Sequence, residues 1–424
     1  MQQIIRRVCL AALLAAGFAS SANAQKALTW DEVRARFAAN NPTLLADKVS
    51  IGESKAQEIT AYLRPNPQLT LTVDGTQIAP YKGVWAPFRG TYETPGVSYL
   101  HERQHKRELR LESAQKGTLI VESEHADLER ALLFSLRGAF VGTLQAKVVL
   151  QLAKDNLAYY DNVLDISRTR FSVGDIARID LDRLELQRVQ YESDVQSAEV
   201  NLRTAKIQLL TLLNDRTPIE QFDVAGLFDF SDQLMPQDEF RKIAMDTRPD
   251  LKAAVEAVDK AQTDHKLAVA NGSTDPILSA WYTHNSSNNN PFGINTLGVS
   301  VSIPLRIFDR NQGEKLRTQL GIDRNEKLTA AARALVFSDV DSAYAVVNSN
   351  MILLQPYKTK YLQQAVRVRD TIAFSYQHGG ASLVDFLNAQ SEYRTVELSY
   401  LNLIGSYLTA AAQLNLAVGR EVLH

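Results

Sequence analysis

Cysteine is all but missing: Cys9 is the only one in 424 residues. It precedes a short apolar core, Leu10 to Ala19, in a stretch over residues 1–24 that reads as a secretory signal. Arg6 and Arg7 form its positive start, and Ala22-Asn23-Ala24 is a small-x-small cleavage site. Ahead of the core, Cys9 is not placed for lipoprotein acylation, and the residues after Arg6-Arg7 do not continue a twin-arginine signal. A mature chain starting at Gln25 then has no thiol, which excludes disulfides, thiolate metal sites and a cysteine nucleophile. A charge excess is also lacking: the net charge is −2, so no bulk attraction to nucleic acid follows. There is no Walker loop, no dinucleotide glycine motif and no Gly-x-Ser-x-Gly, so no cofactor site is read. Four methionines are too few for a metal relay, and His125, His265, His284, His378 and His424 are scattered. After the signal, no apolar run is long enough for a membrane helix. An exported chain of this kind is soluble, secreted or a β-barrel.

What is present occurs twice. Phe171 to Asn214 reads F-S-V-G-D-I-A-R-I-D-L-D and continues as a long helical pattern; Tyr376 to Gly419 reads Y-Q-H-G-G-A-S-L-V-D-F-L and does the same. Aligned without a gap, Gly174 meets Gly379, Asp180 meets Asp385 and Leu209 meets Leu414. Upstream, Asp31-Glu32-Val33-Arg34 matches Asp238-Glu239-Phe240-Arg241, and Pro42-Thr43-Leu44 matches Pro249-Asp250-Leu251. A repeat of this length means one fold unit used twice: residues 25–214, a linker over 215–234 rich in Asp and Phe, and residues 235–424. The helix after each glycine carries a three-four seam, from Leu181 and Leu184 to Leu212 with only Arg188 polar, and from Phe386 and Ala389 to Ala417. Sustained spacing of that kind is coiled-coil packing.

Each unit opens with two helices, the first capped by Thr29 with Glu32 three residues on, and broken at Asn40-Asn41-Pro42. The period then changes to two. Leu69, Leu71 and Val73 alternate with Thr70, Thr72 and Asp74; Leu297, Val299, Val301 and Ile303 alternate with Thr296, Gly298, Ser300 and Ser302. With Tyr92 to His101 and Ile277 to Asn285 these make one hairpin per unit, at about 68–101 and 276–304, the latter turning through Ser286 to Gly293. Such alternation fits either a transmembrane barrel, with Trp85, Tyr92, Tyr99, Trp281 and Tyr282 as candidate girdle aromatics, or two soluble hairpins lying on the helices. A very long helix follows each hairpin. Glu102 to Arg170 contains no proline and spans on the order of 100 Å; Gly313 to Ser375 is interrupted by Pro356, which marks a kink or a join. Four strands cannot close in lipid, so a membrane barrel has to be shared between copies, and three copies supply twelve strands.

These features resemble the TolC family of outer-membrane efflux proteins over essentially the whole mature chain. The specific pieces are Phe171-x-x-Gly174 followed by Asp180-Leu181, and Tyr376-x-x-Gly379 followed by Ser382-Leu383-Val384-Asp385-Phe386. The stretch Val299 to Gly313 is similar to the cobalt–zinc–cadmium branch. The resemblance implies a mainly α chain with a transmembrane hairpin per repeat, and a homotrimer whose twelve-stranded β-barrel sits in outer-membrane lipid. A long periplasmic α-helical barrel would continue it, ending in tips at 171–180 and 376–385. The tips would dock a periplasmic adaptor, coupled in turn to an inner-membrane pump, with Phe171, Gly174, Gly379 and Leu383 as docking candidates. The function implied is passive efflux of small molecules or metal cations, with no catalysis; the exit duct of a type I protein secretion system is the alternative.

Two charged positions stand out at the tips. Asp180 and Asp385 each sit six residues after a glycine, either as compensation of a helix N-terminus or as rings that select cations at the entrance, with Arg168, Arg170 and Arg178 as competing partners. Family channels that close at the tip hold it with an arginine two residues after the second glycine. Here that residue is Ala381, while Tyr376 is retained, so Tyr376 and packing are left to hold the gate. One catalytic motif remains: His101-Glu102-x-x-His105 spells the zincin signature, which on a helix puts both histidines on one face. Lys106-Arg107 follows where a metal helix should be apolar, so a basic strand–helix junction is the better account, with an adventitious metal site on His101 and His105 left open.

Overall fold

A computed structural model describes residues 27–285 and 294–423; the signal over 1–24, the turn Ser286 to Gly293 and His424 lie outside them. The elements run α1 (Trp30–Asn40), α2 (Pro42–Tyr62), β1 (Gln68–Asp74), β2 (Tyr92–Leu100), α3 (Lys106–Ser172), α4 (Arg178–Leu212), α5 (Gln237–Thr247), α6 (Pro249–Asn271), β3 (Ile277–Asn285), β4 (Asn295–Ser302), α7 (Gln312–Pro356), α8 (Leu362–Gln377) and α9 (Leu383–Val418). A π turn, Tyr357–Tyr361, joins α7 to α8 where Pro356 interrupts the pattern. Two compact units result. One holds the described residues up to Leu45 with Glu129–Thr247 and those from Ser338 on; the other holds Ala46–Leu128 with Arg248–Phe337.

The second of these carries the strands, paired antiparallel in the order β1-β2-β3-β4. Residues opposite each other in an antiparallel pair share a face, so the register sorts the side chains. Leu69 faces Val97, Val97 faces Ala280, and Ala280 faces Val299; Leu278 faces Val301 and Tyr282 faces Leu297. Those rows are apolar from edge to edge, and the row beyond them, Val73, Glu93, His284 and Asn295, turns polar. The other face carries Thr70, Thr72, Thr94, Ser98, Ser279, Thr283, Thr296 and Ser300, with Thr94 and Thr283 hydroxyls 3.2 Å apart. The register divides the girdle candidates. Tyr99 and Tyr282 lie on the apolar face, whereas Tyr92 and Trp281 lie on the polar one. Trp281 lies against glycine there: a Cβ built on Gly298 would sit 2.3 Å from its indole Cε2, and one on Gly96 would sit 3.1 Å from its Cβ.

The helical part of this unit is stitched by polar side chains. Thr263 donates to Glu112 (2.9 Å), His125 Nδ1 meets Asp47 (2.6 Å), and the Thr329 hydroxyl donates to the Ala254 carbonyl (2.9 Å). The expected helix from Glu102 begins only at Lys106, because Gln104 and His105 take φ of +59° and +54°, left-handed backbone that no helix continues through.

In the other unit, Thr29 and Glu32 close the capping box on α1. A core of Val33, Phe37, Leu136, Phe140, Leu209, Leu213, Phe222 and Val224 gathers α1, α3, α4 and the linker. One expectation fails here. Among the described residues one helix, α3, is long and apolar enough by composition to pass for a membrane span. Leu136, Phe140 and Leu144 of this helix join that core, while most of its apolar stretch is not buried within the chain. The predicted seams are buried at Leu181, Leu184, Tyr191, Val195 and Ala198 on α4 and at Phe386, Ala389, Tyr393, Tyr407, Ala410 and Leu414 on α9. Arg188, the polar break, is occupied by Asp161 and Glu192.

Candidate functional site

The two glycine turns are built alike. Gly174, between α3 and α4, has φ +80°; its N–H donates to the Phe171 carbonyl (3.0 Å) and the Asp175 N–H to that of Arg170 (2.9 Å). Gly379, between α8 and α9, has φ +77°; its N–H donates to Tyr376 (3.2 Å) and the Gly380 N–H to Ser375 (2.7 Å). Both are Schellman C-caps, where a left-handed residue lets two N–H groups return to the last helical carbonyls. Glycine takes that conformation without a Cβ penalty. A Cβ built on either one meets no atom within 4 Å, so each turn faces open space.

The helices that leave the turns start differently. On α9, the Ser382 hydroxyl accepts from the Asp385 N–H (3.1 Å), while the Asp385 carboxylate accepts from the Ser382 hydroxyl (2.7 Å) and N–H (3.2 Å). These hydrogen bonds, the hydroxyl's first, hold the Asp385 carboxyl below its ordinary range. On α4, the cap residue Ala177 offers no side chain to cap the helix. Asp180 lies in the first turn, half-buried; its N–H donates to the Ala177 carbonyl (3.1 Å), and its carboxylate has no hydrogen-bond or ion-pair partner among the described residues. The neighbouring arginines are engaged elsewhere: Arg168 with Asp165 and Glu185, Arg170 with Asp175, Arg178 with Asp182.

Beneath the turns lies one core, made of Tyr160, Val163, Leu164, Leu181, Leu184, Tyr191, Ala373, Tyr376, Leu383 and Phe386. Tyr160 stacks on Tyr191 (4.6 Å) and donates to the Leu184 carbonyl (3.0 Å). Tyr376 stacks on Phe386 (5.0 Å). Burial raises both the Tyr160 and Tyr376 phenols above their ordinary range. The Tyr376 hydroxyl is buried with no hydrogen-bond partner among the described residues, and the Ser167 hydroxyl donates to the Val163 carbonyl (2.9 Å). Arg170 ties the turns together: Nη1 donates to the Tyr376 carbonyl (2.8 Å) and the guanidinium lies 5.3 Å from the Tyr376 ring.

So Phe171, Gly174, Asp180, Tyr376, Gly379, Leu383 and Asp385 share one tip. Leu383 does not present itself for docking, however. At 8% exposure it is core, and its neighbour Val384, with Val173 and Ile179, supplies the exposed apolar surface. Ser382 stood in the sequence only as part of a family motif, although Ser-x-x-Asp at a helix start is also a capping signature. Arg369, sandwiched between Tyr159 (5.0 Å) and Tyr393 (4.0 Å), carries no local signal at all.

The zincin arrangement does not form. His101 to His105 are not helical. Glu102 is held by Arg110, at 2.9 Å from Nη2, and exposed His105 lies 4.0 Å from Glu108. No group of three or more possible metal ligands occurs among the described residues. The basic junction is internal: buried Lys106 reaches Asp275 (2.6 Å) and the Ser273 carbonyl (3.0 Å).

Comparison with known proteins places this geometry. Residues 241–420 match the family described as outer membrane efflux protein. The cobalt-zinc-cadmium resistance protein CzcC of Cupriavidus metallidurans is 20% identical over 394 residues, 93% of this chain and 90% of the relative. Outer membrane protein TolC of Vibrio cholerae is 22% identical over 399 residues, covering 90% and 88%. Among solved structures, CusC superposes with a TM-score of 0.74 at 19% identity, over 92% of this chain and 91% of that one.

Proposed function

We propose that the chain, similar to the TolC-type outer membrane efflux proteins, works in the outer membrane as the exit channel of a tripartite efflux pump, as a trimer. The sheet carries this proposal. β1 and β4 are its edges, each paired on one side only, and each displays an apolar row: Leu71 is 73% exposed and Leu297 is 79% exposed. An unpaired edge is not tolerated in lipid, and bare apolar rows of this kind mark a surface that is covered and not left in water. Three copies of four strands close both edges at twelve, an even number within the known range. The apolar face then meets lipid, and the threonine and serine face lines the pore.

The tip is the adaptor-docking end, where Gly174 and Gly379 leave the backbone open to a partner and Val173, Ile179 and Val384 add apolar contact. Asp180 and Asp385, repeated by symmetry, ring the entrance and favour cations. With Ala381 in place of an arginine, the resting tip is held by packing around Tyr376. The cargo class is metal cations, as the name of one relative suggests, and the pore carries them without chemistry of its own. The test is the mass of the detergent-solubilised protein, by light scattering, together with heat-modifiable gel mobility. A trimer that shifts on boiling is expected; a stable monomer with full strand content would overturn the shared barrel.

A further inference from the structure

β4 pairs through Ser302, opposite Ile277, and then leaves the sheet. The alternation does not end there. Leu297, Val299 and Val301 are followed at the same two-residue step by Ile303, Leu305 and Ile307, and then by Phe308. These residues belong to no strand or helix. Phe308 is 90% exposed, and Ile303, Leu305 and Ile307 are exposed beside it. A run this apolar, continuous with a lipid-facing row, marks a contact surface. Its cations fit one kind of partner. Arg306 sits among the apolar residues with its Nε buried and without a hydrogen-bond partner among the described residues, and Arg310 Nε turns back to the Arg306 carbonyl (3.3 Å).

We propose that Ile303 to Phe308 is an interfacial anchor in the inner leaflet of the outer membrane. The segment joins the strands to the helices, so it lies at the periplasmic rim of the sheet. Its apolar side chains enter the acyl boundary while Arg306 and Arg310 reach anionic headgroups, the division of labour of membrane-surface segments. This rests on the channel reading above. It also gives the chain a lipid contact below the barrel that needs no acylated cysteine.

The test uses the full chain with Cys9→Ser, carrying single nitroxide labels at Phe308→Cys, Val299→Cys and Lys327→Cys. The protein is reconstituted in vesicles of phosphatidylethanolamine with phosphatidylglycerol. The expected result is a ratio of oxygen to nickel-chelate accessibility at 308 below that at 299, as an interfacial depth requires, and severalfold above that at 327, an exposed polar position on α7. Replacing phosphatidylglycerol with phosphatidylcholine, or adding Arg306→Gln with Arg310→Gln, should lower the ratio at 308 and leave 299 unchanged; no change at 308 would overturn the headgroup role. If 308 is shielded from both reagents while 299 is in lipid, a neighbouring copy covers the segment and the anchor is overturned, the channel standing. If nickel reaches 308 while 299 is in lipid, the anchor is overturned likewise. Nickel access at 299 would remove the channel reading and the anchor together.

Discussion

Replacing Gly298 with alanine should reveal how the pore-side indole is seated. The added Cβ would stand 2.3 Å from Trp281 Cε2, 2.5 Å from Cζ2 and 2.6 Å from Nε1. Non-bonded carbons settle at roughly 3.5–4.0 Å, so the ring has to retreat by roughly 1 Å or swing off the sheet. Forced shifts of that size in a packed site cost about 1–3 kcal/mol. Alanine without the clash should help, since glycine inside a strand is worse than alanine by roughly 0.5–1 kcal/mol. The two effects separate in a double-mutant cycle with Trp281→Ala. Gly298→Ala should destabilise the Trp281 protein by up to about 2.5 kcal/mol and stabilise the Trp281→Ala protein by roughly 0.5–1 kcal/mol, a coupling of about 1–3 kcal/mol. Urea midpoints in detergent, followed by strand circular dichroism, measure all four corners. An equal cost of Gly298→Ala in both backgrounds would refute the contact and, with it, the picture of a tryptophan lying flat against glycine instead of standing in the pore.

Gly174→Trp or Gly379→Trp should leave the oligomer and its heat-modifiable mobility intact but abolish efflux in a resistance assay; the strained backbone costs about 1–2 kcal/mol, and undiminished resistance would refute docking at the tip. Asp385 has its folded-state pKa depressed by Ser382, so its stabilising contact is fully present above the ordinary carboxylate pKa of about 4 and is lost as pH falls through the depressed value. The gap in melting temperature between the native chain and Asp385→Ala should therefore hold steady from neutral pH to mild acid and close in stronger acid; a gap that widens on acidification contradicts the capping contact. In planar bilayers Asp385→Asn should lower cation selectivity, and unaltered reversal potentials would remove Asp385 from the conducting path. Asp180→Ala should raise conductance only slightly, because no partner within the chain holds it; a severalfold rise would mean that a neighbouring copy supplies one.

Much of the architecture was legible because it is local. Thr29 and Glu32 announce a helix start, Pro356 announces a join, and the two-residue step of Leu69, Leu71 and Val73 already decides which face of β1 is apolar. Gly174 and Gly379 could be read as left-handed turns because few other residues adopt that backbone cheaply. What stayed hidden depends on partners far along the chain or on competition between local rules. Lys106 looked like part of a surface cluster, since Asp275, which neutralises it, lies 169 residues away. His101-Glu102-x-x-His105 matched a motif whose geometry requires a helix, and a spelling cannot report that Gln104 and His105 turn left-handed. Leu383 follows the cap directly and looked available, but whether it or Val384 is buried depends on how α9 is rotated against Tyr376 and Phe386.

The π turn after Pro356 has a consequence for how the tip is aimed. Upstream, Val340, Val347 and Leu354 are buried at seven-residue intervals, with Ala343 between. Counting on by sevens gives Tyr361 and Val368, which are 42% and 46% exposed, while the buried residues are Ala373 and Tyr376. A wider turn holds an additional residue, and each residue is worth about 100° of rotation about the axis. The turn therefore works as a gear between two phases: it ends the count that serves one stretch of packing and starts another for the next. Tyr376 faces Phe386 because of a step taken some fifteen residues earlier, so the angle at which the second turn meets a partner is written in the length of a helix and not only in the residues at its end.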